Sequence, residues 1–90
     1  MKEYTTQNMY DEIVEVNLNT IERIKKFGSI VSKFDSDIDI MQERHISDAK
    51  SVIALFTFDV TKPVKIGILS SSENELNLFR EAMKEFAWEG

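Results

Sequence analysis

The sequence contains no cysteine, one histidine, one proline and three glycines. Without thiols there is no disulfide, no thiol nucleophile and no thiolate metal site. The lone imidazole, His45, leaves no histidine pair for a metal ion or a histidine-based relay. Scarce proline and glycine leave little room for a linker, and there is neither a low-complexity segment nor an internal repeat. No apolar run approaches the roughly 18 residues a membrane span needs. Positive charge is also in deficit: 16 acidic and 11 basic side chains give a net charge of −5. With a pI near 4.8, this argues against a general affinity for nucleic acid. The first ten residues are polar and lack the basic-then-apolar layout of a secretory signal, so the expected compartment is the cytoplasm.

What is present suffices for one small domain. A chain of 90 residues, 42% apolar and 30% charged, buries roughly 64% of its unfolded surface, which is one modest core. Residues 1–10 have no periodic apolar face to offset the entropy of ordering and read as a flexible extension. Residues 11–90 read as the domain.

Period-two alternation from Glu12, with Ile13, Val14, Val16 and Leu18 set against Glu15 and Asn17, predicts a first strand. Asn19 and Glu22 have the spacing of a capping box, so a helix is expected to follow and run to about Phe34. Its apolar face is Ile21, Ile24, Phe27, Gly28, Val31 and Phe34. Ile38, Ile40 and Gln42 alternate with Asp37, Asp39 and Met41 as a second strand, which turns at Glu43-Arg44 into a short third strand, His45 to Ser47. Ser51 to Phe58 fits either a strand or a short helix capped by Ser51, and periodicity does not separate the two. Pro63 marks a loop before a strand carrying Val64, Ile66 and Ile68. Ser72 and Glu75 then form a second capping box, opening a helix with Leu76, Phe79, Met83 and Phe86 on its seam, reaching about Trp88. The order is β-α-β-β-(short α)-β-α. It implies an α+β fold whose four-stranded, antiparallel-rich sheet carries helices on one face and meets water on the other.

This order resembles the HPr family, the histidine-containing phosphocarriers of the bacterial sugar phosphotransferase system. Asp48-Ala49-Lys50-Ser51 is similar to the family's Asn-Ala-Lys-Ser at the start of a short middle helix. Lys33-Phe34, Ser36-Asp37-Ile38 and Asp59-Val60-Thr61-Lys62 can be laid against the family pattern without a gap from about Val14 to Leu69. The resemblance implies an HPr-like open-faced β-sandwich, βαββαβα, and makes Ser51 to Phe58 a short helix with its exit. It also exposes a departure. The family's Thr-Gly-Leu-His-Ala-Arg-Pro corresponds to Thr20-Ile21-Glu22-Arg23-Ile24-Lys25-Lys26, so Arg23 stands at the phosphoacceptor position and Lys25 at that of the supporting arginine. A guanidinium stays protonated and has no lone pair with which to attack a phosphoryl group, so Arg23 can bind an anion but cannot carry the group as histidine does.

The functional expectation is a non-catalytic regulatory or protein-interaction module, without metal or cofactor. The alternatives are a phosphocarrier with an unconventional acceptor and a generic small dimerising domain. Ser51 matches the serine that some family members present to a regulatory kinase; as a helix cap it has a structural reason to be there in any case. Arg23, Lys25 and Lys26 form either a weak anion site or a solvated basic face. Val52, Leu55 and Phe56 are candidates for a partner surface beside the first helix, Leu55 also reading as core. His45 reads as a rim or half-buried strand residue. Residues 20–34 hold four basic side chains and one acidic, whereas residues 73–90 hold two and five. These opposite faces suit protein partners or a second copy of the chain.

Overall fold

Alternation of apolar and polar residues makes each strand two-faced, and the burial of one face organises the molecule. The computed structural model describes residues 9–88. Its elements are β1 (Glu12–Val16), α1 (Ile21–Val31), β2 (Asp37–Gln42), β3 (His45–Asp48), α2 (Val52–Leu55), β4 (Val64–Leu69) and α3 (Glu73–Met83), the last continued by a 3-10 turn over Lys84–Phe86. The strands lie in the order β1-β4-β2-β3, every neighbouring pair antiparallel. Val16, Ile38, Ile40, Val64, Ile66 and Ile68 share one face and pack in a single core with Ile24, Phe27 and Val31 of α1, Leu55 of α2, and Leu76, Phe79 and Met83 of α3. Burying each such side chain stabilises the fold by about 1.5–3 kcal/mol. Two edge-to-face aromatic pairs tie the helical layer together, Phe27 with Phe86 at 5.7 Å and Phe34 with Phe79 at 6.2 Å.

The expected order of elements holds, and the differences are local. The cap of α1 is Thr20, not Asn19: the Asn17 side-chain oxygen accepts from Asn19 N–H, and Thr20 Oγ1 accepts from Arg23 N–H. Helix α1 ends at Val31 rather than near Phe34, because Lys33 and Phe34 close three-residue bonds to Ile30 and Val31. Ile21 is 61% exposed, outside the core its spacing assigned it to, because it lies in the first turn, beyond the covered part of the sheet. The last helix stops at Met83, and after the 3-10 turn the chain becomes extended and bridges to β1 through Ala87 and Val16. The β2–β3 turn lacks asparagine and glycine, and Glu43 adopts the left-handed conformation itself, at φ 56°.

The helix-free face is only partly open to water. Gly67, in the middle of β4, leaves a notch that the Tyr10 ring fills beside Met41, which is 5% exposed. The Tyr10 hydroxyl donates to Asp39 Oδ2 at 2.6 Å. Burial, and then the adjoining Asp39 carboxylate, push the phenol well above the ordinary tyrosine range. Of the extension expected over residues 1–10, residues 1–8 lie outside the described residues, while Tyr10 belongs to this packing.

A Cβ at position 67 would lie 2.6 Å from Tyr10 Cγ and 3.0 Å from Met41 Cε. Gly67→Ala is therefore expected to cost about 1–3 kcal/mol in urea unfolding. In a Tyr10→Ala background, where the ring is gone, the same substitution should cost much less, and the double-mutant cycle measures the difference.

Candidate functional site

The position of greatest interest is the start of α1, the turn that carries Arg23. Its guanidinium is held on two sides: Nε donates to the Asn17 carbonyl at 2.7 Å, and Nη2 donates to the Glu85 carbonyl at 3.2 Å. The group also lies over the Phe86 ring, 5.4 Å from its centroid. One turn further on, Lys26 pairs with Glu85 at 2.7 Å. Because both of its groups are exposed, this ion pair contributes little by itself. Asn17 N–H donates to Phe86 O, and Trp88 N–H donates to Glu15 O. Arg23 therefore fastens the C-terminal strap, residues 84–88, to the loop between β1 and α1. Lys25 is exposed.

Helix α2 lies beside α1. A Cβ on Gly28 would lie 3.9 Å from both Val52 and Leu55, an ordinary packing distance, which marks where the two helices face each other. Ser51 caps α2, its Oγ accepting from Ala54 N–H at 3.3 Å. Lys50 extends to the Phe34 carbonyl at 2.6 Å and so satisfies the end of the segment after α1. Val52 and Phe56 are 55% and 54% exposed, while Ile53, which the sequence reading missed, is 82% exposed. Leu55 does not belong to a partner surface: it is 1% exposed and sits in the core, since in a single turn of helix only one residue points straight at the sheet. The structure thus brings Gly28 and Val52 together where α1 meets α2, with Arg23 and Lys26 drawn toward the C-terminal strap.

His45 is exposed at the start of β3 rather than half-buried. Its ring stacks on Phe58 with centroids 4.0 Å apart, and Nε2 lies 2.7 Å from Thr57 Oγ1. The Thr57 hydroxyl gives its one proton to Ala54 O at 2.6 Å, so it accepts from His45 Nε2–H. None of these contacts involves α1.

A shallow groove between α1 and α3 is floored by Ile30, Phe34, Leu78 and Ala82. Its conspicuous polar group, Glu75, is already engaged: its carboxylate accepts from the Ser36 hydroxyl, from Ser36 N–H at 3.3 Å and from the Ser70 hydroxyl at 2.7 Å. Only half of the expected capping box forms. Ser72 Oγ accepts from Glu75 N–H, but Ser72 N–H turns to Ser70 Oγ because the glutamate has better donors across the loop. The serine donors, Ser36 first and then Ser70, hold the Glu75 carboxyl below its ordinary range, and Thr61 does the same for Asp59. Among the described residues, no group of three or more acidic, histidine or cysteine side chains gathers to hold a metal ion, and no helix is long and apolar enough to cross a membrane.

No family model and no curated protein matches the sequence. Among solved structures, the chain is similar to the crystal structure of HPr-C-His from Thermoanaerobacter tengcongensis. The TM-score is 0.65 at 17% identity, over 82% of this chain and 92% of that one. The fold is HPr-like. The likeness extends over the four-stranded antiparallel sheet and its one helical layer, and at this identity it concerns the fold alone. The HPr-like framework accounts for the short α2 between β3 and β4, the element that the apolar pattern left undecided.

Two outcomes follow. Arg23→Lys keeps the charge but cannot reach both carbonyls, so it should lower stability by about 1–3 kcal/mol and speed amide exchange at Asn17 and Trp88. Glu75 has a depressed folded-state pKa. Its contribution is therefore complete above the ordinary glutamate value of about 4.3 and is lost as pH falls through the folded-state value. Urea midpoints of the wild type and Glu75→Gln should differ at pH 7 and converge in acid.

Proposed function

We propose that the chain is a non-catalytic interaction and regulatory module of the bacterial cytoplasm, built on the HPr-like fold and related to the sugar phosphotransferase system. The observation that carries this reading is Arg23. The side chain at the resemblance's acceptor position is a guanidinium without a lone pair, bonded to two backbone carbonyls and stacked on Phe86. It is a clamp in the fold, poorly suited to receiving and releasing a phosphoryl group.

The reading puts the partner surface on the exposed Val52, Ile53 and Phe56 of α2, which packs against the basic helix α1. Exposed apolar side chains next to a basic helix favour an apolar protein surface with an acidic border. Ser51 is the regulatory position. A phosphate there would add about −1.5 to −2 charges beside the apolar group and change the partners it accepts.

The reading is tested with phosphoenolpyruvate and the first enzyme of the phosphotransferase system. No acid-labile phosphate should appear on the chain, while the same enzyme should bind it, with Phe56→Asp weakening the complex roughly tenfold or more. ATP and an HPr-type kinase should add one acid-stable phosphate, lost in Ser51→Ala. An acid-labile gain that survives Arg23→Ala and disappears in His45→Ala would overturn the reading in favour of an unconventional carrier. Absence of both kinase labelling and enzyme binding would leave only the fold in common with HPr.

A further inference from the structure

A glycine inside a central strand gives up a packing partner and adds backbone freedom, and it often marks a place where another group comes close. Gly67 is such a residue. It lies on β4 between Ile13 of β1 and Asp39 of β2. Because Val14, Ile40 and Ile66 turn to the helical side, Ile13, Gly67, Asp39 and Met41 turn to the other. The missing side chain leaves a hollow floored by backbone, with Ile13 on one side, the Asp39 carboxylate on the other and Met41 at one end.

The hollow already holds one ring. Tyr10 Cγ and Cδ1 stand 2.6 and 2.7 Å from where a Cβ of residue 67 would be, and the hydroxyl donates to Asp39 Oδ2 at 2.6 Å. A donor is needed at that spot, since Asp39 faces Asp48 directly across the β2–β3 ladder and like charges so placed are unfavourable. Among the described residues, the Tyr10 hydroxyl is the group that donates to the Asp39 side chain. The ring is not tied down by its neighbours. Asp11 keeps bonds of its own, from its N–H to Ile68 O at 2.9 Å and to its Oδ2 from Ser70 N–H at 2.8 Å. On the other side Met9 is 60% exposed. Tyr10 can therefore swing out about Asp11, losing its ring contacts and one hydrogen bond, while the sheet beneath stays paired.

We infer that this hollow is a binding site for the side chain of tyrosine, filled in the resting molecule by Tyr10 and open to a tyrosine presented by a partner protein when Tyr10 swings out. The resident ring shows the chemistry of the ligand. The notch over Gly67 accepts a flat ring edge-on to the strand, and the carboxylate at its far side selects a ring with a hydroxyl over one without. The same carboxylate, with Asp48 beside it, repels an anionic ring such as that of phosphotyrosine.

The probe is p-cresol, the tyrosine side chain detached from its backbone, followed through the Gly67 and Asp39 amide resonances of the full chain. Tyr10→Ala should bind it with a dissociation constant on the order of 1–10 mM, as befits about eight non-hydrogen atoms in an open seat. Toluene, without the hydroxyl, and p-cresyl phosphate, with its charge, should each bind roughly tenfold more weakly or worse. In the wild type the tethered Tyr10 competes, so p-cresol should again bind roughly tenfold more weakly, and its binding should shift the Tyr10 ring resonances. Tyr10→Phe keeps the ring without the bond to Asp39 and should fall between the wild type and Tyr10→Ala. Adding Gly67→Ala to Tyr10→Ala refills the hollow with a methyl group and should abolish binding while circular dichroism still shows the native fold. No binding by Tyr10→Ala, toluene bound as tightly as p-cresol, or binding that survives Gly67→Ala would overturn the proposal. The comparison of Tyr10→Phe with the wild type stands whether or not Tyr10→Ala folds, and equal affinities there would overturn it as well.

Discussion

The guanidinium of Arg23 decides how one end of this molecule is built. Two directed hydrogen bonds and a stacked ring bring the first loop, the start of α1 and the last turn to one point. A lysine could supply the charge but not the planar fork, and a histidine could reach only one carbonyl at a time. With that point fixed, the residues after Phe86 run beside β1 and close its edge. The contact that holds the last turn against the first loop thereby also helps to close the edge of the sheet.

Much of the architecture is legible in the sequence because burial on one side of a sheet imposes period two. Ile38 with Ile40, and Val64 with Ile66 and Ile68, announce their strands, and the seam of Leu76, Phe79 and Met83 announces α3. What the pattern does not contain are decisions made by side chains far apart in sequence. Asn19 and Thr20 are both good caps, and the choice falls to Asn17, whose amide oxygen claims the Asn19 N–H. Glu75 has the spacing of a capping box, but Ser36, in a different loop, supplies stronger donors than its own first turn.

The candidate site is legible to a smaller extent. Composition marks the basic first helix, and the resemblance marks residue 23, but neither reveals that the guanidinium is consumed by carbonyls at residues 17 and 85. Ile21 leaves the core its spacing assigned it to, and of the two readings of Leu55 the core one holds. The first turn of α1 overhangs the core, while the single turn of α2 points one leucine into it and leaves Val52, Ile53 and Phe56 outside. Tyr10 had no periodic signal at all. Its place is set by a glycine fifty-seven residues later, which provides the notch for its ring.

The closure of β1 by residues 86–88 also bears on the order of assembly. The β2–β3 hairpin needs only a two-residue turn and can form in microseconds, whereas sealing β1 joins parts of the chain about seventy residues apart. During synthesis, β1 thus leaves the ribosome well before the segment that protects its edge. Until residues 86–88 emerge, that edge stays open to chaperones and to neighbouring nascent chains.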